Sequence, residues 1–199
     1  MTRLETERLI LRPYREDDLD GFYACVCDPE VVRYEPYRPM SREEARQTLA
    51  SRLDNGEFWA LERKADGAYI GNLYLGQREF QSLELGYVLA RQYWGKGYAR
   101  EGCQTLIGEA FRQGAHRIYA ECDPRNEASW RLLERLGMAR EAYLHQNVYF
   151  WTDEQGLPQW KDTYVYGLLR EDAAELCLEE KMAQVNCVFP YGGVERNYE

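Results

Sequence analysis

The spacing of apolar and polar positions changes repeatedly along the chain, and each change predicts an element. From Arg8 to Tyr14 (RLILRPY) the two alternate as in a strand. REDDLDGFYACVC behind it predicts a short helix with acids in its first turn, where the helix dipole favours them. DPEVVRYEPYRPM is then a proline-bearing, tyrosine-rich loop. Ser41 with Glu44 three residues on is a capping signal for a second helix, whose polar run closes at Asn55 and Gly56. Three strands follow as an antiparallel meander: FWALER, AYIGNLYL after the Asp66-Gly67 turn, and LELGYVLA. Cys103, Leu106, Ile107, Ala110 and Phe111 fall at i, i+3, i+4, i+7 and i+8, one apolar face of a helix stopped by Gly114. A strand RIYAECD, a helix from Asn126 to Leu136 closed by Gly137, and aromatic-rich strands around Ala139 to Trp151 and Thr163 to Leu169 complete a mixed α/β (α+β) pattern. Residues 170–199 read as a helix followed by an irregular tail.

At 199 residues the chain can bury one core, and no shift in composition divides it into two comparable domains. A formal net charge of -9 disfavours nucleic-acid binding by bulk electrostatics and leaves room for a local basic groove. No apolar run is long enough to cross a bilayer, and MTRLETERLI begins with charges where a leader would have a basic patch and an apolar stretch. A cytoplasmic protein without a membrane partner is therefore expected. The six cysteines are scattered among apolar positions and read as free thiols. No metal site is expected, because Cys25 and Cys27 are only two apart and His116 and His145 have no ligand-like neighbours.

RQYWGKGYAREG, residues 91–102, joins a predicted strand to a predicted helix through two glycines. Such a corner exposes unpaired N–H groups at the positive end of a helix, which suits an anion, although a glycine pair can also be no more than a tight turn. The phosphate loop G-x-x-x-x-G-K-[ST] is excluded, because Lys96 directly follows the first glycine and no hydroxyl comes after it. The dinucleotide pattern G-x-G-x-x-G/A fits poorly, with Arg100 in its last position and a meander strand before it. The pattern Q/R-x-x-G-x-G/A is met in full by Gln92, Gly95 and Gly97.

That loop resembles the coenzyme A loop of the GNAT superfamily of N-acetyltransferases. TERLILRPYREDDL is similar to the family's opening strand and helix, LELGYVLARQYWGKGYAREG to its fourth strand and pyrophosphate loop, and NEASWRLLERLGM to the helix beside the pantetheine arm. Among its members, the group typified by enzymes that acetylate ribosomal-protein N-termini is the most similar. The resemblance implies a GNAT domain over residues 1–169, with helices on both faces of a mostly antiparallel sheet. The sheet is splayed between its fourth and fifth strands, LELGYVLA and RIYAECD. It also implies acetyl-CoA as cofactor and direct attack by a primary amine, either a protein N-terminus or a small molecule. A non-catalytic CoA-binding regulator is the alternative on the same fold.

Site residues follow from the same resemblance. Backbone N–H groups of Trp94, Gly95, Lys96, Gly97, Tyr98 and Ala99 are expected to hold the pyrophosphate, with Arg91 or Gln92 at its edge and Lys96 adding charge at the rim. The Val88 N–H is the expected donor to the acetyl oxygen. Glu84 matches the family's glutamate and is expected to take the amine's proton, its other reading being a strand carboxylate paired with a nearby cation. Ser129 is a candidate to assist the departing thiolate, or a helix cap; Tyr143 is a more distant reserve for that role, or core. Asn126 is expected to reach the pantetheine amides and to cap its helix, two roles that are compatible. Tyr34, Glu35, Tyr37 and Arg38 lie in the loop implied to overhang the acceptor, where plain loop packing is the other reading. Trp151, Trp160 and Tyr164 are read as core, or else as a cleft wall or a homodimer contact.

Overall fold

The computed structural model describes residues 3–175. Eight strands form one sheet: β1 (Leu4–Glu5), β2 (Leu9–Arg12), β3 (Phe58–Arg63), β4 (Tyr69–Gln77), β5 (Ser82–Leu89), β6 (Arg117–Cys122), β7 (Ala139–Val148) and β8 (Lys161–Leu169). Their spatial order is β1-β2-β3-β4-β5-β6-β8-β7, and every neighbouring pair is antiparallel except β5 with β6. The helices are α1 (Leu19–Val26), α2 (Arg42–Arg52), α3 (Tyr98–Arg112), α4 (Glu127–Arg135) and α5 (Arg170–Glu175).

Alternation along β3 sorts the helices between the two faces. Trp59 and Leu61 join Leu73, Leu106 and Ile107 in the larger core beneath α3, whereas Ala60 joins Phe22, Val26, Ala45 and Leu49 beneath α1 and α2. Leu106 and Ile107 are fully buried, each contributing about 1.5–3 kcal/mol of transfer free energy. The capping box opens α2 as the sequence predicts, with Glu44 N donating to Ser41 Oγ and Ser41 N donating to Glu44 Oε2.

Parallel strands need a long crossover, and α3 supplies it between β5 and β6. Their pairing covers only Ser82↔Arg117, Leu83↔Ile118 and Glu84↔Tyr119. Residues 85–89 and 120–122 then run on unpaired to each other, each held by its outer neighbour. This is the splay that the resemblance implies, and it opens the sheet without fraying it.

The approach to α1 is fixed by a buried ion cluster. Arg12 donates through both terminal nitrogens to Asp18, at 2.7 and 2.8 Å, and through Nε to Glu62 at 2.6 Å. Arg12 and Asp18 are both buried, so the charges have each other and little water.

Several expectations need correction. β1 carries too few residues to show a period and is absent from the sequence reading. α2 stops at Arg52, before the Asn55-Gly56 signal. Tyr143 and Trp160 are not core, with 54% and 50% of their surfaces exposed; β7 is the last strand of the sheet and nothing covers its outer side among the described residues. α5 begins directly after the expected boundary at residue 169, and its Ala173 is fully buried in the larger core. The tail predicted beyond it, residues 176–199, lies outside the described residues.

Candidate functional site

The strand-to-helix corner is held from beneath. After Ala90 a single turn, Arg91–Tyr93, buries the Tyr93 ring, and the Trp94 indole donates to the Leu89 carbonyl at 2.7 Å. Gly95 and Gly97 have φ of 71° and 81°, a region any other residue enters at a cost. A Cβ on Gly95 would meet nothing within 4 Å, so what is needed there is left-handed backbone rather than room. Gly97 is the N-cap of α3 and no side chain caps that end. The first N–H groups of a 15-residue helix therefore face outward unsatisfied. Arg8 braces the corner by donating to the Lys96 carbonyl at 3.1 Å and to Glu101 at 2.7 Å.

Two cavities flank the splay. The first, about 850 Å³, runs from this corner along α4, and Arg33, Arg100, Arg125, Arg131 and Arg135 on its walls outnumber Glu30, Glu35 and Glu127. The second, about 610 Å³, reverses the sign: Glu35, Glu57, Glu84, Glu121, Asp123 and Asp162 face Arg52 and Lys161. Tyr34, Glu35, Tyr87, Val88, Asn126 and Ser129 line both. A long anion and a cation can therefore enter from opposite sides and meet between the parted strands.

Main-chain geometry moves one expected donor by a residue. Ala90 N donates to the Ile70 carbonyl at 3.0 Å, and a Cβ built on Gly71 would lie 2.3 Å from the Val88 carbonyl oxygen. Both observations turn the even-numbered amides of β5 toward β4, and successive amides point to opposite sides. Val88 N–H thus belongs to the β4 ladder, where Val88 pairs with Asn72. The gap receives the amides of Tyr87 and Leu89.

Other predicted residues divide as follows. Asn126 Oδ1 accepts from Ser129 N at 3.2 Å, capping α4, while its side chain still lines both cavities. Ser129 Oγ lies 2.8 Å from the Tyr87 hydroxyl, which burial raises well above the usual phenol range. Glu84 faces the acidic cavity but is paired with Arg78, the arrangement its second reading describes. Tyr37 lines the acidic cavity, and Arg38 sits 4.9 Å from the centre of the Trp151 ring. Arg91, Gln92 and Lys96 line neither cavity; Arg91 pairs with Asp28 at 3.1 Å. Tyr143 also lines neither, its hydroxyl donating to Asp162.

Glu35 stands apart from the other acids. Burial pushes its carboxyl from an ordinary 4.5 up to about 7, against the opposing pull of Arg52. Beside it the Tyr34 hydroxyl donates to the Arg125 carbonyl at 3.2 Å, tying the α1–α2 loop across the junction to the β6–α4 loop. Sequence reasoning missed the Tyr87 hydroxyl, which alternation assigns to a packed face, and the arginines of the groove. The spacing of Arg131 and Arg135, four apart on α4, could have shown the latter.

The arrangement has counterparts among known proteins. Residues 8–139 match the family model described as an acetyltransferase (GNAT) domain. The [ribosomal protein uS5]-alanine N-acetyltransferase of Escherichia coli (strain K12) is 30% identical, over 85% of this chain and 92% of its own length. A GNAT-family acetyltransferase from Bacillus anthracis superposes with a TM-score of 0.79 at 26% identity, covering 85% of this chain and 99% of that one. RimL, a ribosomal L7/L12 alpha-N-protein acetyltransferase solved in complex with coenzyme A, has a TM-score of 0.73 at 19% identity, covering 86% and 99%.

Proposed function

The chain belongs to the GNAT acetyltransferase family, in the group of the ribosomal-protein N-terminal acetyltransferases, and is an acetyltransferase; from that premise we propose that it transfers acetyl from acetyl-CoA to a primary amine, a protein N-terminus or a small amine, in the cytoplasm. The observation that carries the reading is the pair of cavities of opposite charge joined at the splay. An acyl carrier rich in phosphate suits the arginine groove, and an ammonium suits the acidic cleft.

The residues fit the cofactor. Trp94 N is already committed to the Arg91 carbonyl at 3.1 Å and drops out of the expected set; the N–H groups at 95–99 would receive the diphosphate, the groove arginines the remaining phosphate, and the Asn126 amide nitrogen, left over from its capping bond, the pantetheine amides. Acetyl-CoA supplies an activated acyl carbon. The Tyr87 N–H, directed into the gap, takes the place expected of Val88 as donor to the acyl oxygen; one preorganised donor of this kind contributes about 3 kcal/mol to the transition state. The Tyr87–Ser129 hydroxyl pair, lining both cavities, would return a proton to sulfur. Because a thiol has a reference pKa of about 8.5, this help is modest: Ser129→Ala and Tyr87→Phe are each expected to lower kcat by about tenfold, with the double variant little worse than either single one. Initial rates of the three variants check this.

The proposal is tested by thermal shift and by free-thiol release. CoA is expected to raise Tm where NAD and ATP do not, and thiol is expected to appear from acetyl-CoA only when a peptide or small amine is added. Stabilisation by NAD or ATP in place of CoA would refute the cofactor, and a panel of amines that releases no thiol would refute the transfer.

A further inference from the structure

Resting on that reading, we propose that Glu35, not Glu84, is the carboxylate that takes the proton of the incoming ammonium. Among the described residues Glu35 is the only carboxylate lining both cavities, whereas Glu84 lines the acidic one alone and is held by Arg78. Glu35 makes no ion pair or side-chain hydrogen bond among the described residues, so its oxygens remain available to an ammonium.

Its neighbours keep it so. Arg52 of α2, the cation that faces it, is engaged elsewhere, with its guanidinium 4.1 Å from the Phe58 ring centre and Nη1 donating to the Tyr14 hydroxyl at 3.3 Å. Cys25 of α1, Tyr37 of the same loop and Tyr87 of β5 also feel the carboxylate, and burial raises all three, keeping them neutral near pH 7. An amine cannot attack as the ammonium, and reference values are about 8 for an α-amine and about 10.4 for lysine. A carboxyl raised to about 7 is far better matched to that proton than an ordinary glutamate. An N–H proton passes to a Glu35 oxygen; the freed lone pair forms the C–N bond as the C–S bond breaks, and sulfur keeps the electron pair. The second amine proton reaches sulfur through Tyr87 and Ser129, and Glu35 later releases its proton to solvent.

Charge on Glu35 is disfavoured in the folded protein, so the wild type loses stability as pH rises from 4.5 through about 7. Glu35→Gln escapes that loss. The test is kcat/KM for thiol release across pH, with an amine that the wild type uses, for the wild type, Glu35→Gln and Glu84→Gln, together with CoA calorimetry and melting curves. Glu35→Gln is expected to lose the near-neutral limb and to run about 100-fold slower at pH 7, recovering with unit slope as the amine deprotonates by itself. CoA affinity is expected to hold, and Tm above pH 7 to exceed that of the wild type. A limb that survives in Glu35→Gln, or vanishes in Glu84→Gln instead, overturns the assignment. So does a deficit constant with pH and accompanied by weak CoA binding, which would mark a structural role. A wild type inert toward every amine would instead bring down the transfer reading on which this one rests.

Discussion

Gly97→Val is expected to weaken CoA binding by about 100-fold or more in a protein that still folds. Position 97 has φ 81° and ψ 0° and starts α3. A β-branched residue held there costs on the order of 1–3 kcal/mol, and the cheapest relief is to rotate the peptide units on either side. Those units carry the N–H groups that the proposed function assigns to the diphosphate. Each charge-assisted bond lost costs about 1.5–3 kcal/mol, so two misdirected amides weaken CoA by about 100-fold or more, and kcat/KM falls in step. Calorimetry and circular dichroism check the two halves separately. Unchanged CoA affinity in a folded Gly97→Val protein would show that the corner is only a turn.

Arg12→Met is expected to be the most destabilising substitution away from the site. It leaves Asp18 buried without its cation, and Glu62 with only the exposed Arg15, 3.6 Å away. Breaking a buried pair in this way costs about 3–5 kcal/mol, roughly 10 °C or more in Tm for a chain of this size. The apolar triple variant Arg12→Met, Asp18→Leu, Glu62→Met is expected to recover most of that loss, since the penalty comes from stranded charge rather than from missing attraction. Melting curves decide, and a single variant as stable as the wild type would mean that water reaches the cluster. Because Arg12 fixes the approach to α1, and α1 leads into the loop bearing Glu35, the single variant should also lose activity before it unfolds.

Local patterns made most of the fold legible. The period of two in FWALER and LELGYVLA, the i, i+4 face of α3 and the Ser41–Glu44 box each reflect forces acting within a few residues. The glycine corner was legible for the same reason, since only glycine supplies positive φ cheaply at 95 and 97. What stayed hidden depends on distant neighbours. The Arg78 partner of Glu84 comes from the β4–β5 connection, the raised carboxyl of Glu35 from burial that only the folded chain creates, and the exposure of Tyr143 from the place of β7 at the rim of the sheet. The expected donor moves from Val88 to its neighbour because which side of a strand an amide serves is set by its pairing with β4, and a sequence does not print its register.

On the proposed reading, the strand parting past Glu84 gives the molecule two separate doorways to one reaction chamber. Neither reactant has to wait for the other to leave, and the spent carrier and the modified product can depart by different exits. Steady-state kinetics should therefore give double-reciprocal lines that cross, the mark of both reactants being aboard together, where a protein that stored the acyl group on itself would give parallel ones.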